Sequence, residues 1–293
     1  MIFLPFLTVT ETARAKINLT LDVLGKRPDG YHEIKTIMQS LALSDSIEIG
    51  ATDGPLSVSV EGADLPGGEG NIAFGAARLM AAAAGRSPAL TIKIVKRIPV
   101  AAGLAGGSAD AAAVLRGIDR LWNLRWCDAR LEAIAASLGS DVPFCLRGGS
   151  ALASGRGEIV APLPDCPDFA VVLACPDFAV ATSAVYANYA PAAAGRRPDT
   201  ELAAKALALG DRELLAGQLC NVLESVTFKM FPEVERLKHT LIDAGAASAM
   251  SGSGPAVFAL APDRETAERA AAAVKDKTKA RVWVTKTGGR EKA

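Results

Sequence analysis

Four groups of residues in this 293-residue chain have the types and spacing that chemistry needs. The first is a Gly-rich stretch over residues 99–110, Pro-Val-Ala-Ala-Gly-Leu-Ala-Gly-Gly-Ser-Ala-Asp. Gly103, Gly106 and Gly107 tolerate positive φ and let a ligand approach the main chain without meeting a Cβ. Ser108 can cap a following helix through its hydroxyl, or offer that hydroxyl to a phosphate or a metal. The second group is Lys16 and Asn18, two residues apart on an alternating segment. The third is Asp141, in Ser140-Asp141-Val142-Pro143, where Pro143 disfavours helix at Val142 and leaves the acid on a short irregular segment. An acid held there suits a catalytic carboxylate, although on its own it reads more simply as a turn residue. The fourth is Tyr31-His32 at the mouth of a turn, able to stack on a flat ring and hydrogen-bond its edge, or to be plain half-exposed strand.

The elements that position these groups follow from periodicity. Ala13, Ala15, Ile17, Leu19, Leu21 and Val23 alternate with Arg14, Lys16, Asn18, Thr20 and Asp22, which predicts a half-buried strand. On pattern alone Lys16 is a solvated strand lysine. After the turn Gly25-Lys26-Arg27-Pro28-Asp29-Gly30, a second strand is expected over 31–43, with short strands at 47–49 and 56–60. Asn71 caps a helix that ends at Gly85. Leu90, Ile92 and Ile94 mark a strand and Ala-rich 109–122 a helix, so the Gly-rich stretch lies at a strand-to-helix turn, where free N–H groups and the helix dipole favour an anion. Asp128 caps a helix that stops at Gly139, and glycines at 148–149 and 155–157 bracket a hairpin. Pro162, Pro164 and Pro167 mark a boundary, giving domains 1–162 and 163–293. Beyond it come a strand from 169 to 174, helices at 200–209, 211–223 and 232–244, a second Gly/Ser turn at 250–255, a strand at 256–260, a helix at 263–275 and a strand at 281–285. Strands alternating with helices after opening hairpins argue an α+β pair of domains. The tail after Gly288 reads as short, polar and mobile.

Composition bounds the function. Lys+Arg and Asp+Glu are both 32, so no polyanion such as nucleic acid is expected as a partner. The five cysteines, an odd number without C-x-x-C spacing, read as reduced thiols of a cytoplasmic protein. Residues 1–7 are apolar but carry no positive flank and are too short for a signal peptide, so they read as a run before the first strand. No stretch reaches membrane-span length, and no membrane partner is expected. The G-x-x-x-x-G-K-[ST] and G-x-G-x-x-G signatures are absent, and Asp177-Phe178 is followed by Ala179 with no H-R-D before it, which excludes a protein kinase.

The motifs resemble those of the GHMP small-molecule kinases, and three stand in the family's order. Residues 15–19, Ala-Lys-Ile-Asn-Leu, are similar to the first; residues 99–109 resemble the second, the long phosphate loop; and Ser251-Gly252-Ser253-Gly254-Pro255 resembles the third. Residues 25–33, 139–144 and 155–158 look closer to one branch, which phosphorylates a cytidine-diphosphate ester of methylerythritol in the non-mevalonate route to isoprenoid precursors. The resemblance runs from residue 13 to about residue 260.

It implies an N-terminal ribosomal-protein-S5-like domain, a C-terminal ferredoxin-like domain and a site between them. Lys16 and Asp141 then correspond to the catalytic pair, with Asp141 deprotonating or orienting the attacking hydroxyl. Pro99, Val100, Ala101, Ala102, Gly103, Leu104, Ala105, Gly106, Gly107, Ser108 and Ala109 correspond to the phosphate loop for ATP with Mg²⁺. Asn71 and Lys96 fall where adenosine binds. Asn18 falls beside the acceptor alcohol, with Gly252 and Ser253 also on the acceptor's side. Tyr31, His32, Thr182 and Tyr186 fall where the cytidine is held. Ala101, Ala102 and Ala105 stand where some relatives have glycine, which implies a stiffer loop. The metal ligands are left open, and the chain is expected to act as a monomer or homodimer. The alternatives are a homoserine- or mevalonate-type kinase, which Tyr31-His32 speaks against, and a non-catalytic nucleotide-binding protein, which the lysine–carboxylate pair speaks against.

Overall fold

The structure, a computed structural model, describes residues 7–291, so the expected leading run lies outside them except for Leu7. The first domain is built on β1 (Thr8–Lys26) and β2 (His32–Ala51), which pair antiparallel from Thr8↔Gly50 to Lys26↔His32. It continues through β3 (Ser57–Glu61), α1 (Ile72–Ala84), β4 (Leu90–Val95), α2 (Gly106–Leu121), α3 (Asp128–Leu138), α4 (Val142–Arg147), β5 (Ser150–Gly155) and β6 (Ile159–Pro162). β5 pairs with β2, and β6 with β5. The strands expected at 31–43 and 47–49 are one continuous β2.

The second domain comprises β7 (Ala170–Cys175), α5 (Thr182–Ala187), α6 (Thr200–Leu209), α7 (Arg212–Gly217), β8 (Cys220–Asn221), α8 (Glu224–Met230), α9 (Pro232–Asp243), β9 (Ala247–Met250), β10 (Val257–Ala261), α10 (Arg264–Lys277) and β11 (Arg281–Lys286). Its sheet has the order β11-β7-β10-β9, antiparallel throughout. Strands in spatial order 4-1-3-2 with helical crossovers are the ferredoxin-like arrangement, as expected.

β1 feeds both cores. Its register shifts between Arg14 and Lys16, between Asn18 and Thr20, and between Val23 and Gly25. Bulges of this kind bend a strand. Ala13, Ala15, Ile17 and Leu19 pack with α1 and α2, whereas Leu21 and Val23 join the core built on β7 and β10. The polar face of β1 is therefore covered as well: Lys16 is 3% exposed and Asn18 2%. This corrects the solvated-lysine reading, because alternation reports one buried face and does not report the distant segments around Leu104 and Asp141 that lie against the other.

Other departures have local causes. Ala105, not Ser108, precedes α2, so Ser108 lies inside the helix and is not its cap. Cys127 takes the cap position expected of Asp128. Val142 is helical after all, since Pro143 sits within the first turn of α4, where proline is tolerated. The single helix expected over 211–223 is broken: α7 ends at Gly217, and β8 then pairs parallel with β1 through Thr20↔Cys220 and Leu21↔Asn221. α5, α8 and β9 were not foreseen.

The tail is anchored rather than mobile as far as Glu291. Thr287 bridges Leu41, Gly288 N donates to Ser40 O at 2.8 Å, and Arg14 pairs with Glu291 at 2.9 Å. Both β8 and the tail thus return across the proline boundary to the first sheet.

Candidate active site

The Gly-rich loop spans residues 96–105 between β4 and α2. The first main-chain bond of the helix runs from Ala109 N to Ala105 O at 2.9 Å, so the N–H groups of Gly106, Gly107 and Ser108 precede it at the positive end of a 16-residue helix. Three contacts stitch the loop to its surroundings. Lys16 N donates to Leu104 O at 3.1 Å, Ala256 N to Ala102 O at 3.2 Å, and Ser251 Oγ to Gly103 O at 3.0 Å. Gly103 is required here: its φ is +79°, and a Cβ would lie 2.3 Å from Ser251 O. The second Gly/Ser turn therefore packs directly on the first.

Ala101 and Ala105 hold φ of +53° and +56°, left-handed values that disfavour a Cβ. Ala105→Gly is expected to stabilise the fold by a few tenths to about 1 kcal/mol, because relief of the left-handed strain outweighs the added freedom of the unfolded chain. Thermal unfolding should show a rise of up to about 4 °C; a fall would mean that the alanine methyl packs favourably.

A cleft of about 870 Å³ opens over this loop, lined by Lys16, Asn18, Tyr31, His32, residues 99–108, Asp141, Thr182, Tyr186, Gly252 and Ser253. Residues scattered over more than 230 positions of sequence thus share one wall system. Lys16 Nζ donates to Asn18 Oδ1 at 2.8 Å and lies 3.4 Å from Asp141 Oδ2. Asn18 Nδ2 in turn donates to Thr36 Oγ1 at 2.8 Å, which fixes the amide and hence the ammonium. The Lys16 side chain is only 4% exposed while that of Asp141 is 30% exposed, so the acid is the partner open to a ligand.

Aromatic rings share the same cleft. Tyr31 N donates to Asp29 Oδ1 at 3.1 Å and Arg27 N to Tyr31 O at 2.8 Å, which holds the turn that presents the ring. His32 and Tyr186 have ring centroids 5.1 Å apart, tilted by 32°. Burial, reinforced by the charge of Lys26, pushes the His32 imidazole below its usual range, so it is neutral at physiological pH. Burial pushes the Tyr186 phenol up, with the Asp141 charge adding to the effect, so it stays protonated. Thr182 Oγ1 and Ser253 Oγ share a hydrogen bond of 2.9 Å, which joins α5 to the second Gly/Ser turn.

Of the residues assigned to nucleotide binding from sequence, Asn71 and Ala109 lie off the cleft wall and Lys96 lies on it. Asn71 spends its side chain on local structure, accepting from Ala73 N at 3.0 Å and donating to Pro66 O at 3.0 Å, and it does not line the cleft. Ala109 is buried in the first core and does not line it either. Lys96 does line it, but its ammonium is engaged by Asp45 and Asp110. Conversely, Leu65, Ile72 and Arg156 line the cleft and were not singled out. Arg156 lies 4.9 Å from the centre of the Tyr31 ring. Its Gly-Arg-Gly setting was the available signal; Ile72 read only as helix start and Leu65 carried no signal.

The comparisons with known proteins agree with this geometry. The family described as GHMP kinases N terminal domain matches residues 71–149, and GHMP kinases C terminal matches residues 203–280. The chain belongs to the GHMP kinases, which are ATP-dependent small-molecule kinases. Within that class it is 48% identical over 283 residues to the 4-diphosphocytidyl-2-C-methyl-D-erythritol kinase of Pelotomaculum thermopropionicum, covering 96% of this chain and 98% of the relative. The enzyme of the same name from Moorella thermoacetica is 45% identical over 273 residues, 92% of this chain and 95% of the relative. A crystal structure of 4-(cytidine 5'-diphospho)-2C-methyl-D-erythritol kinase superposes with TM-score 0.80 at 36% identity, covering 96% of this chain and 100% of that one. A homoserine kinase from Cytophaga hutchinsonii superposes with TM-score 0.76 at 19% identity over 97% and 96% of the two chains, which is likeness of fold alone.

Proposed function

We propose that this chain transfers the γ-phosphoryl group of ATP to the 2-hydroxyl of 4-diphosphocytidyl-2-C-methyl-D-erythritol, a step in making isoprenoid precursors by the non-mevalonate route. The observation that carries the reading is the Lys16–Asp141 contact of 3.4 Å in a cleft that has a phosphate loop on one side and an aromatic pocket on another. Relatives bearing that enzyme's name at 45–48% identity support the choice of acceptor.

The residues divide the work. The N–H groups of Gly106, Gly107 and Ser108, with the dipole of α2, hold the phosphates of ATP. Leu65, Ile72 and Val100 offer an apolar wall to the adenine. Tyr31 and Tyr186 take the faces of the cytosine, and the neutral His32, with one ring N–H and one free ring nitrogen, matches its mixed donor and acceptor edge. Asp141 accepts the hydrogen bond of the attacking hydroxyl and takes its proton as the oxygen–phosphorus bond forms. Lys16, 3.4 Å from that carboxylate, neutralises charge on the transferring group, and Asn18 fixes Lys16. Phosphoryl transfer needs chiefly such positioning and charge stabilisation.

Magnesium fits this site as a companion of the nucleotide. No cluster of three or more acids, cysteines or histidines that could hold a metal ion occurs among the described residues, and the Ser108 hydroxyl would supply a hard oxygen donor beside the phosphates. Bound there, the ion would neutralise phosphate charge.

Release of ADP with the cytidine substrate, homoserine and mevalonate, measured side by side, tests the assignment. Turnover with the cytidine substrate alone is expected. Preference for homoserine or mevalonate would reassign the acceptor, and ADP binding without turnover on any alcohol would leave only a nucleotide-binding protein.

A further inference from the structure

The mechanism above leaves one buried group of charges unused. Lys96, Asp45 and Asp110 are 7%, 1% and 3% exposed. Lys96 Nζ donates to Asp45 Oδ2 and, at 2.7 Å, to Asp110 Oδ2. Asp45 Oδ1 accepts from the main-chain N–H of Arg97 and, at 2.9 Å, of Ile98. Asp110 Oδ1 is buried without a hydrogen-bond partner. Two carboxylates on one ammonium, away from water, are costly to assemble, and apolar residues of the same volume often serve stability as well or better. Stability alone therefore does not account for the cluster.

Its position does. Lys96, Arg97 and Ile98 lead into the phosphate loop, and Asp110 lies in the helix that leaves it, so the cluster ties the two ends of residues 99–105 to each other and, through Asp45, to β2. The ammonium also lies under the amide end of α2: a Cβ built on Gly106 would be 3.2 Å from Lys96 Nζ. Inside the loop, Ala101 and Ala105 hold left-handed backbone. Residues in such conformations persist only where their surroundings over-determine them. The loop thus needs an external brace, and this cluster stands at its base.

We propose that Asp45, Lys96 and Asp110 are positioning residues that clamp the phosphate loop in its ATP-binding conformation, with Lys96 acting through the loop and not by touching the nucleotide. The inference rests on reading the cleft as a kinase site, and it replaces the place beside adenosine that the sequence suggested for Lys96.

The test uses Lys96→Met, Asp45→Asn, Asp110→Asn and the double variant Lys96→Met/Asp110→Asn in the full chain. It measures ADP binding by calorimetry, KM for each substrate and thermal unfolding. Each single variant is expected to weaken ADP binding and raise KM for ATP by about tenfold, with KM for the acceptor alcohol unchanged. The double variant should be no worse than its poorer parent, since the clamp opens once. Weaker ADP binding in Lys96→Met alone, with both aspartate variants normal, would restore a direct nucleotide contact and overturn the clamp. Lowered unfolding temperatures with unchanged ADP affinity would also overturn it, by making the cluster merely structural. Asp110→Asn keeps side-chain volume and an acceptor for Lys96, so it remains informative if Lys96→Met does not fold. ADP binding needs no acceptor. Wild-type chain that binds ADP but ignores the cytidine substrate would refute the proposed acceptor and leave the clamp testable.

Discussion

Asp141→Asn is expected to lower kcat by at least about a hundredfold while leaving ADP affinity and the fold nearly intact. The substitution keeps the volume and one acceptor oxygen but removes the charge and the capacity to take a proton. The acid faces the cleft at the start of α4 and, with 30% of its side chain exposed, carries little of the packing. Lys16 retains Asn18 as a hydrogen-bond partner at 2.8 Å, so the ammonium is not stranded. An interaction used only as the hydroxyl attacks lowers kcat and kcat/KM together, and that is the pattern to look for in steady-state kinetics with calorimetric ADP binding alongside. An unchanged kcat would remove Asp141 from the chemistry. A rise in KM for the alcohol with kcat intact would reduce it to a binding group.

What could be read from the sequence was set by range. Local signals held. Gly85 ends α1 in left-handed geometry, Asp263 caps α10, and the paired motifs around Gly103 and Gly252 were visible as glycine spacing. The burial of Lys16 was not visible, because it depends on a loop 88 positions away that accepts its main-chain N–H at Leu104 O. The break in the helix expected at 211–223 was hidden for the same reason. Asn221 leaves helical geometry to donate at 2.8 Å to both Met250 O and Gly252 O, a demand made by a distant turn and not by its neighbours. Lys96 shows the converse gap. A lysine beside a phosphate loop invites assignment to the nucleotide, and only coordinates reveal that two acids from other elements already hold it.

Tyr31→Ala is expected to raise KM for the cytidine substrate by roughly 10- to 100-fold and to leave KM for ATP and the unfolding temperature unchanged, given about 1–3 kcal/mol for stacking one base on one aromatic ring. Tyr31 is 53% exposed, so the fold loses little when the ring goes. What goes with it is a flat surface held ready by the Arg27–Asp29 turn and backed by the guanidinium of Arg156 at 4.9 Å. Tyr31→Phe keeps the face and should behave nearly as wild type, which separates stacking from any hydrogen bond of the phenol. An acceptor alcohol lacking the base provides the sharper control, since its poor turnover should be indifferent to Tyr31→Ala. If that substitution instead raises KM for both substrates equally, the residue acts by shaping the cleft as a whole, and the cytosine must be held elsewhere. Loss confined to the cytidine substrate would tie acceptor choice to a residue pair, Tyr31 and His32, that takes no part in the proton transfer.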